Sequence, residues 1–113
     1  MPKQNITEDA APAAVVEAIQ DLGERIRLAR QRRQLRQIDL AAKANIPTRT
    51  LRRVEGGQLG TGVGVYAAVL WALGLLGDLP AVADPDSDLE GRVLEAARRG
   101  ERVRPDTGLS DDF

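Results

Sequence analysis

The chain has no cysteine and no histidine, and only three of its 113 residues are aromatic: Tyr66, Trp71 and Phe113. Without cysteine there are no disulfides and no thiolate metal sites, which suits a reducing compartment. Without histidine the commonest general base and the commonest metal ligand are both missing. With so few aromatics, the core has to be built from Leu, Val, Ile and Ala, an alphabet that favours helices packed on helices. Long apolar runs are lacking too. "GGQLGTGVGVYAAVLWALGLLG", Gly56 to Gly77, carries no charge over 22 residues, but its apolar part, Val63 to Leu76, is only fourteen long. A membrane span needs about 20 largely apolar residues. The opening "MPKQNITEDAAP" holds no apolar signal core. The expectation is a soluble, cytoplasmic chain of one domain with some extra length, no membrane association and no cofactor.

Charge is abundant but unevenly placed. Between Leu22 and Gln58 ten Arg and Lys face three acids, Glu24, Asp39 and Glu55, so this stretch carries +7. The rest of the chain carries −8, and the formal total of −1 conceals the separation. A basic block between acidic flanks points to a polyanionic partner.

Apolar spacing predicts an all-α chain. Val15, Ile19, Leu22, Ile26 and Ala29 fall on one helical face that runs through Gly23. Either one helix spans about 13–33, or a short leading helix meets a second near Asp21–Gly23. "LRQIDLAAKAN" then predicts a helix with Leu35 and Leu40 as a hydrophobic staple, Asp39 in its first turn and Asn45 as its stop. A further helix is expected to begin at Pro47 as its first residue and to end at "GG". Two helices of about eight residues separated by a short break form a helix-turn-helix pattern. Ile46, Leu51 and Val54 supply the buried side of its second helix, while Thr48, Arg49, Arg52 and Arg53 face outward. A fourth helix is expected from about Gly64 to Leu73, with Val63, Tyr66, Val69, Leu70 and Leu73 at core spacing. A short fifth covers about Leu75–Ala83, "DPDSD" forms a turn, and Leu89, Val93, Leu94 and Ala97 mark one face of a C-terminal helix. "GTGVGV" matches neither phosphate-binding glycine pattern and reads as a linker.

From Leu22 to Gly77 the residues resemble the lambda-repressor-like, or Xre-type, helix-turn-helix family. The match runs through Arg30, Leu35, Gln37, Leu40, Ala41, Ala44, Ile46, Thr50, Leu51, Arg53, Val54, Glu55, Gly57, Ala72, Leu73 and Gly74, with spacings intact. The resemblance implies a five-helix DNA-binding domain followed by a C-terminal helix and flexible tail. It implies that Gln37 and the first amides of the second helix grip a backbone phosphate. Thr48, Arg49 and Arg53 would reach base edges, Thr50 and Arg52 the groove wall or phosphates, and Arg30 and Glu55 would form an ion pair. Arg36 stands where the family has a Thr or Ser cap and would bind phosphate as a cation. Pro47 replaces the usual Ser, and Ile38 a usual polar residue. "VLWALGLLGDLPAVADP" and the acidic helix after it resemble HipB-like antitoxins. That likeness implies a dimeric autorepressor that also binds a HipA-like kinase toxin.

The expected organisation is an N-terminal arm and helical extension at 1–21, a DNA-binding domain at 22–77, a C-terminal segment for dimer or partner contact at 78–104, and a tail at 105–113. The expected function is a homodimeric repressor on an inverted-repeat operator in double-stranded DNA, with Trp71 as a candidate dimer contact. The alternative is a stand-alone Xre-type or phage-type regulator with no toxin partner. An enzyme is not expected, since no nucleophile–base set is visible, and no metal site is expected.

Overall fold

The computed structural model describes residues 7 and 9–102, without the side chains of 101 and 102. The expected tail at 105–113, the end of the 78–104 segment and most of the arm lie outside the described residues. Among those described, every regular element is helical. The chain divides into two compact units, Met1–Leu79 and Pro80–Phe113.

In the first unit α1 spans Ala13–Arg32, α2 Gln37–Ala44, α3 Thr48–Glu55 and α4 Val63–Leu73. Between the two readings of the leading segment, the single helix is the one observed. Helix α1 passes without a break through Gly23, across the expected boundary at 21/22. The reason lies in packing. A Cβ on Gly23 would stand 2.5 Å from the Val54 carbonyl oxygen, 2.8 Å from the Gly57 nitrogen and 2.9 Å from the Glu55 carbonyl oxygen. Glycine here lets α1 lie directly on the end of α3, a gain set against its helix cost of about 1 kcal/mol.

Local chemistry ends the helices. Asn45 closes α2 in the left-handed region at φ 59°, and the Ile46 N–H returns to the Ala41 carbonyl at 3.0 Å. Gly74, at φ +79°, closes α4 in the same way. Pro47 stands one residue before α3 rather than as its first helical residue. Its ψ of 149° is extended, and its carbonyl accepts from Thr50 at 3.0 Å and Leu51 at 3.2 Å.

Helix α2 packs on α3 and α4, and α1 on the same two. Their shared core is Ile26, Ala29, Leu40, Ala41, Ala44, Leu51, Val54, Tyr66, Val69 and Leu73. Ala41 is fully buried where a larger side chain would hold the helices apart. Val63 departs from its expected core position: as the first residue of α4 it is 73% exposed. The Tyr66 hydroxyl donates to the Gln58 carbonyl at 3.1 Å, and burial pushes its pKa up.

The expected fifth helix is instead a 3₁₀ segment, Leu76–Ala81, containing Pro80, whose missing N–H removes an α-helical bond. The second unit contains a 3₁₀ turn, Pro85–Ser87, capped by the Asp84 carboxylate, and α5, Leu89–Arg102. Leu89, Val93 and Leu94 are exposed. No helix among the described residues is long and apolar enough to cross a membrane.

Candidate nucleic-acid interface

Helix α3, "TRTLRRVE", sorts its residues by side. Leu51, Val54 and Glu55 are buried, Thr48 and Thr50 are half-buried, and Arg49, Arg52 and Arg53 are exposed. The period of the apolar residues sets this division: Leu51 and Val54 turn toward α1 and α2, which leaves the arginines on the opposite side. Arg49 and Arg53 form no ion pair with any described residue.

The one acid on α3 does not cancel these cations. Glu55 is buried, with a side chain 4% exposed, against Arg30 of α1 at 11%. Arg30 Nε donates to Glu55 Oε2 at 2.6 Å and Nη2 to Oε1 at 3.0 Å, a bidentate pair. Arg30 Nη1 also donates to the Leu35 carbonyl at 2.9 Å, tying the pair to the loop that enters α2. Hydrogen bonding to Glu55 holds the Arg30 guanidinium above its ordinary pKa.

Gln37, the first residue of α2, lies within this cluster. Its Nε2 donates to Glu55 Oε1 at 3.1 Å, and its Oε1 accepts from Arg52 Nε at 3.4 Å. The side-chain amide is thus engaged by α3 on both of its ends. Among the described residues no buried side-chain nitrogen or oxygen lacks a partner.

Arg36 precedes α2 and is exposed. Its Nε and Nη2 donate to the two carboxylate oxygens of Asp39, each at 3.0 Å, and its backbone N–H donates to Oδ2 at 3.0 Å. Asp39 therefore supplies the reciprocal half of a capping box, although arginine replaces the usual capping hydroxyl. The same contacts, side chain first and then backbone, hold the Asp39 carboxyl below its usual range.

The structure brings Gln37, Arg52, Glu55 and Arg30 into one connected cluster and places Arg49 and Arg53 on the adjoining exposed side of α3. Trp71 sits apart on α4, 64% exposed. Arg36 is occupied by Asp39. Sequence reasoning missed the Gln37–Glu55 and Arg52–Gln37 bonds, because neither pair lies on one helix. It also missed the close approach at Gly23, whose only signal was a glycine on an otherwise unbroken apolar face. No group of three or more carboxylates among the described residues could hold a metal ion.

Comparison of the chain with protein-family models, with characterised proteins and with solved structures returns no match.

Proposed function

We propose that this chain is a sequence-specific DNA-binding transcriptional repressor in which α2 and α3 form a helix-turn-helix and α3 enters the major groove. One observation carries the reading. Three arginines stand on the exposed side of a short helix whose only acid is buried and bound by Arg30. An eight-residue helix held by a neighbour, with cations outward and aliphatic residues inward, fits what major-groove reading requires. Arg49 and Arg53 would meet base edges, where arginine prefers guanine through O6 and N7. Thr48 would reach an adjoining base. Thr50, Arg52 and Arg36 would meet the groove wall or phosphates, contacts that set register rather than sequence.

The repressor acts as a homodimer on an inverted repeat, with recognition helices about 34 Å apart. Exposed Trp71 is the candidate contact between copies. The narrower assignment, an autoregulatory antitoxin binding a HipA-like kinase toxin, rests on the resemblance of "VLWALGLLGDLPAVADP" and the helix after it.

Selection of bound sites from a random duplex library tests the reading. Recovery of one inverted repeat is expected, with Arg49→Ala or Arg53→Ala each costing about 1–3 kcal/mol and relaxing preference at one base pair. Absence of any enriched sequence would overturn it, and equal weakening on all DNA would confine these arginines to phosphate.

A further inference from the structure

The cluster around Glu55 has a direction. An ionised carboxylate can only accept hydrogen bonds, and a guanidinium can only donate them. Glu55, bonded bidentately to Arg30, therefore takes the NH₂ end of the Gln37 amide, at 3.1 Å. The amide oxygen is then the end that faces Arg52 Nε, at 3.4 Å. The opposite amide orientation would set oxygen against carboxylate and NH₂ against guanidinium, two repulsions in place of two bonds. Because Glu55 is almost wholly buried and held by Arg30, the orientation of Gln37 is imposed from inside the fold.

We infer that Gln37 is a positioning residue: it transmits the fixed geometry of Glu55 to Arg52 and aims that guanidinium at a phosphate of bound DNA. The inference rests on the DNA-binding reading and assigns Gln37 a different role from direct phosphate contact. Arginine carries five N–H donors in a planar fork. With Nε directed at Gln37, neither terminal NH₂ group bonds a side chain or carbonyl among the described residues, and these groups form the end that can grip two phosphate oxygens at once. At 3.4 Å the bond to Gln37 is long, and its effect is on aim more than on strength. An exposed arginine held in one orientation loses less freedom on binding than a free one does. Lysine cannot take this place, because its single ammonium has no second donor group along the chain to hold.

The test is a cycle of the wild-type chain, Gln37→Leu, Arg52→Ala and the double variant. Each is titrated by fluorescence anisotropy against a short mixed-sequence DNA duplex over a series of salt concentrations. Thermal melts by circular dichroism show that the chains compared are folded. Gln37→Leu is expected to weaken binding about three- to tenfold when Arg52 is present and less than about twofold when it is absent, since groups that act through one another do not add. Equal weakening in both backgrounds would place Gln37 itself on the DNA and overturn the inference, as would no effect in either. Should Gln37→Leu not fold, Arg52→Lys carries the test, because it leaves Gln37 and Glu55 untouched. It is expected to bind almost as weakly as Arg52→Ala, and wild-type affinity would overturn the inference. A wild-type chain that binds no duplex would overturn the DNA reading and this role of Gln37 together. Binding with additive losses would overturn the role of Gln37 alone.

Discussion

Arg30 and Glu55, 25 residues apart in the chain, meet through two hydrogen bonds at 2.6 and 3.0 Å in a site almost closed to water. Their contact joins the last turn of α1 to the last residue of α3. Taking two charges out of water costs several kcal/mol per ion, so the pair's net contribution to stability is small, and its value is in setting where α3 lies.

Removing one partner leaves the other charge stranded. Arg30→Ala or Glu55→Ala should each destabilise the fold by about 3–5 kcal/mol in urea denaturation. The double replacement Arg30→Met with Glu55→Leu should lie closer to wild type than either single change. Two small single losses would show that the pair is open to solvent.

Gly23 should tolerate no side chain. Its added Cβ would meet backbone atoms of Val54, Glu55 and Gly57 at 2.5 to 2.9 Å, and backbone cannot rotate away. Gly23→Ala should therefore lower stability by about 1–3 kcal/mol, despite alanine's helix preference. Gly64→Ala in α4, where nothing lies within 4 Å, should leave stability unchanged or raise it by up to about 1 kcal/mol. Thermal melts of the two variants test the contrast.

Gln34 follows α1 in the left-handed region at φ 56°. For a residue with a Cβ that conformation costs about 1–2 kcal/mol, of which the extra chain entropy of glycine would return part. Gln34→Gly should raise stability by about 0.5–1 kcal/mol, read from the denaturation midpoint. A fall would mean that its side chain contributes more than its backbone costs.

The Asp39 contacts predict a pH dependence. The folded-state pKa lies below the usual carboxylate value of about 4, so the contribution is complete above that value and is lost as pH falls through the folded one. Asp39→Asn should be less stable than wild type at neutral pH, and the gap should close on acidification. Melting temperatures from about pH 6 down to about pH 2 measure it, and a gap that persists at the acid end would assign Asp39 a role other than its charge.

Features within a few residues of one another were readable from the chain alone. Asn45 as the stop of α2, Asp39 in its first turn, "GG" after α3 and the aliphatic side of Leu51 and Val54 all follow from backbone preference and helical period. The local reading began α3 one residue early, at Pro47, because proline's fixed φ and missing N–H suit a first helical position. It extended a helix over Leu75–Ala83, where the chain forms a 3₁₀ segment with Pro80 inside it. It put Val63 in the core because periodicity does not show where a helix emerges from its neighbours.

Composition and order by themselves determined that this chain would be helical, aliphatic at its core and basic in one block, since those properties depend on residue type and period. Tertiary structure decided which charges stay available. Glu55, Gln37 and Arg52 are 18 and 15 residues apart in their bonded pairs, and only the packing of α1, α2 and α3 brings them within reach. That packing buries the acid of α3 against Arg30 and leaves its arginines facing water. A charge's effect depends on its partners and on the water around it, and neither is written in the order of residues.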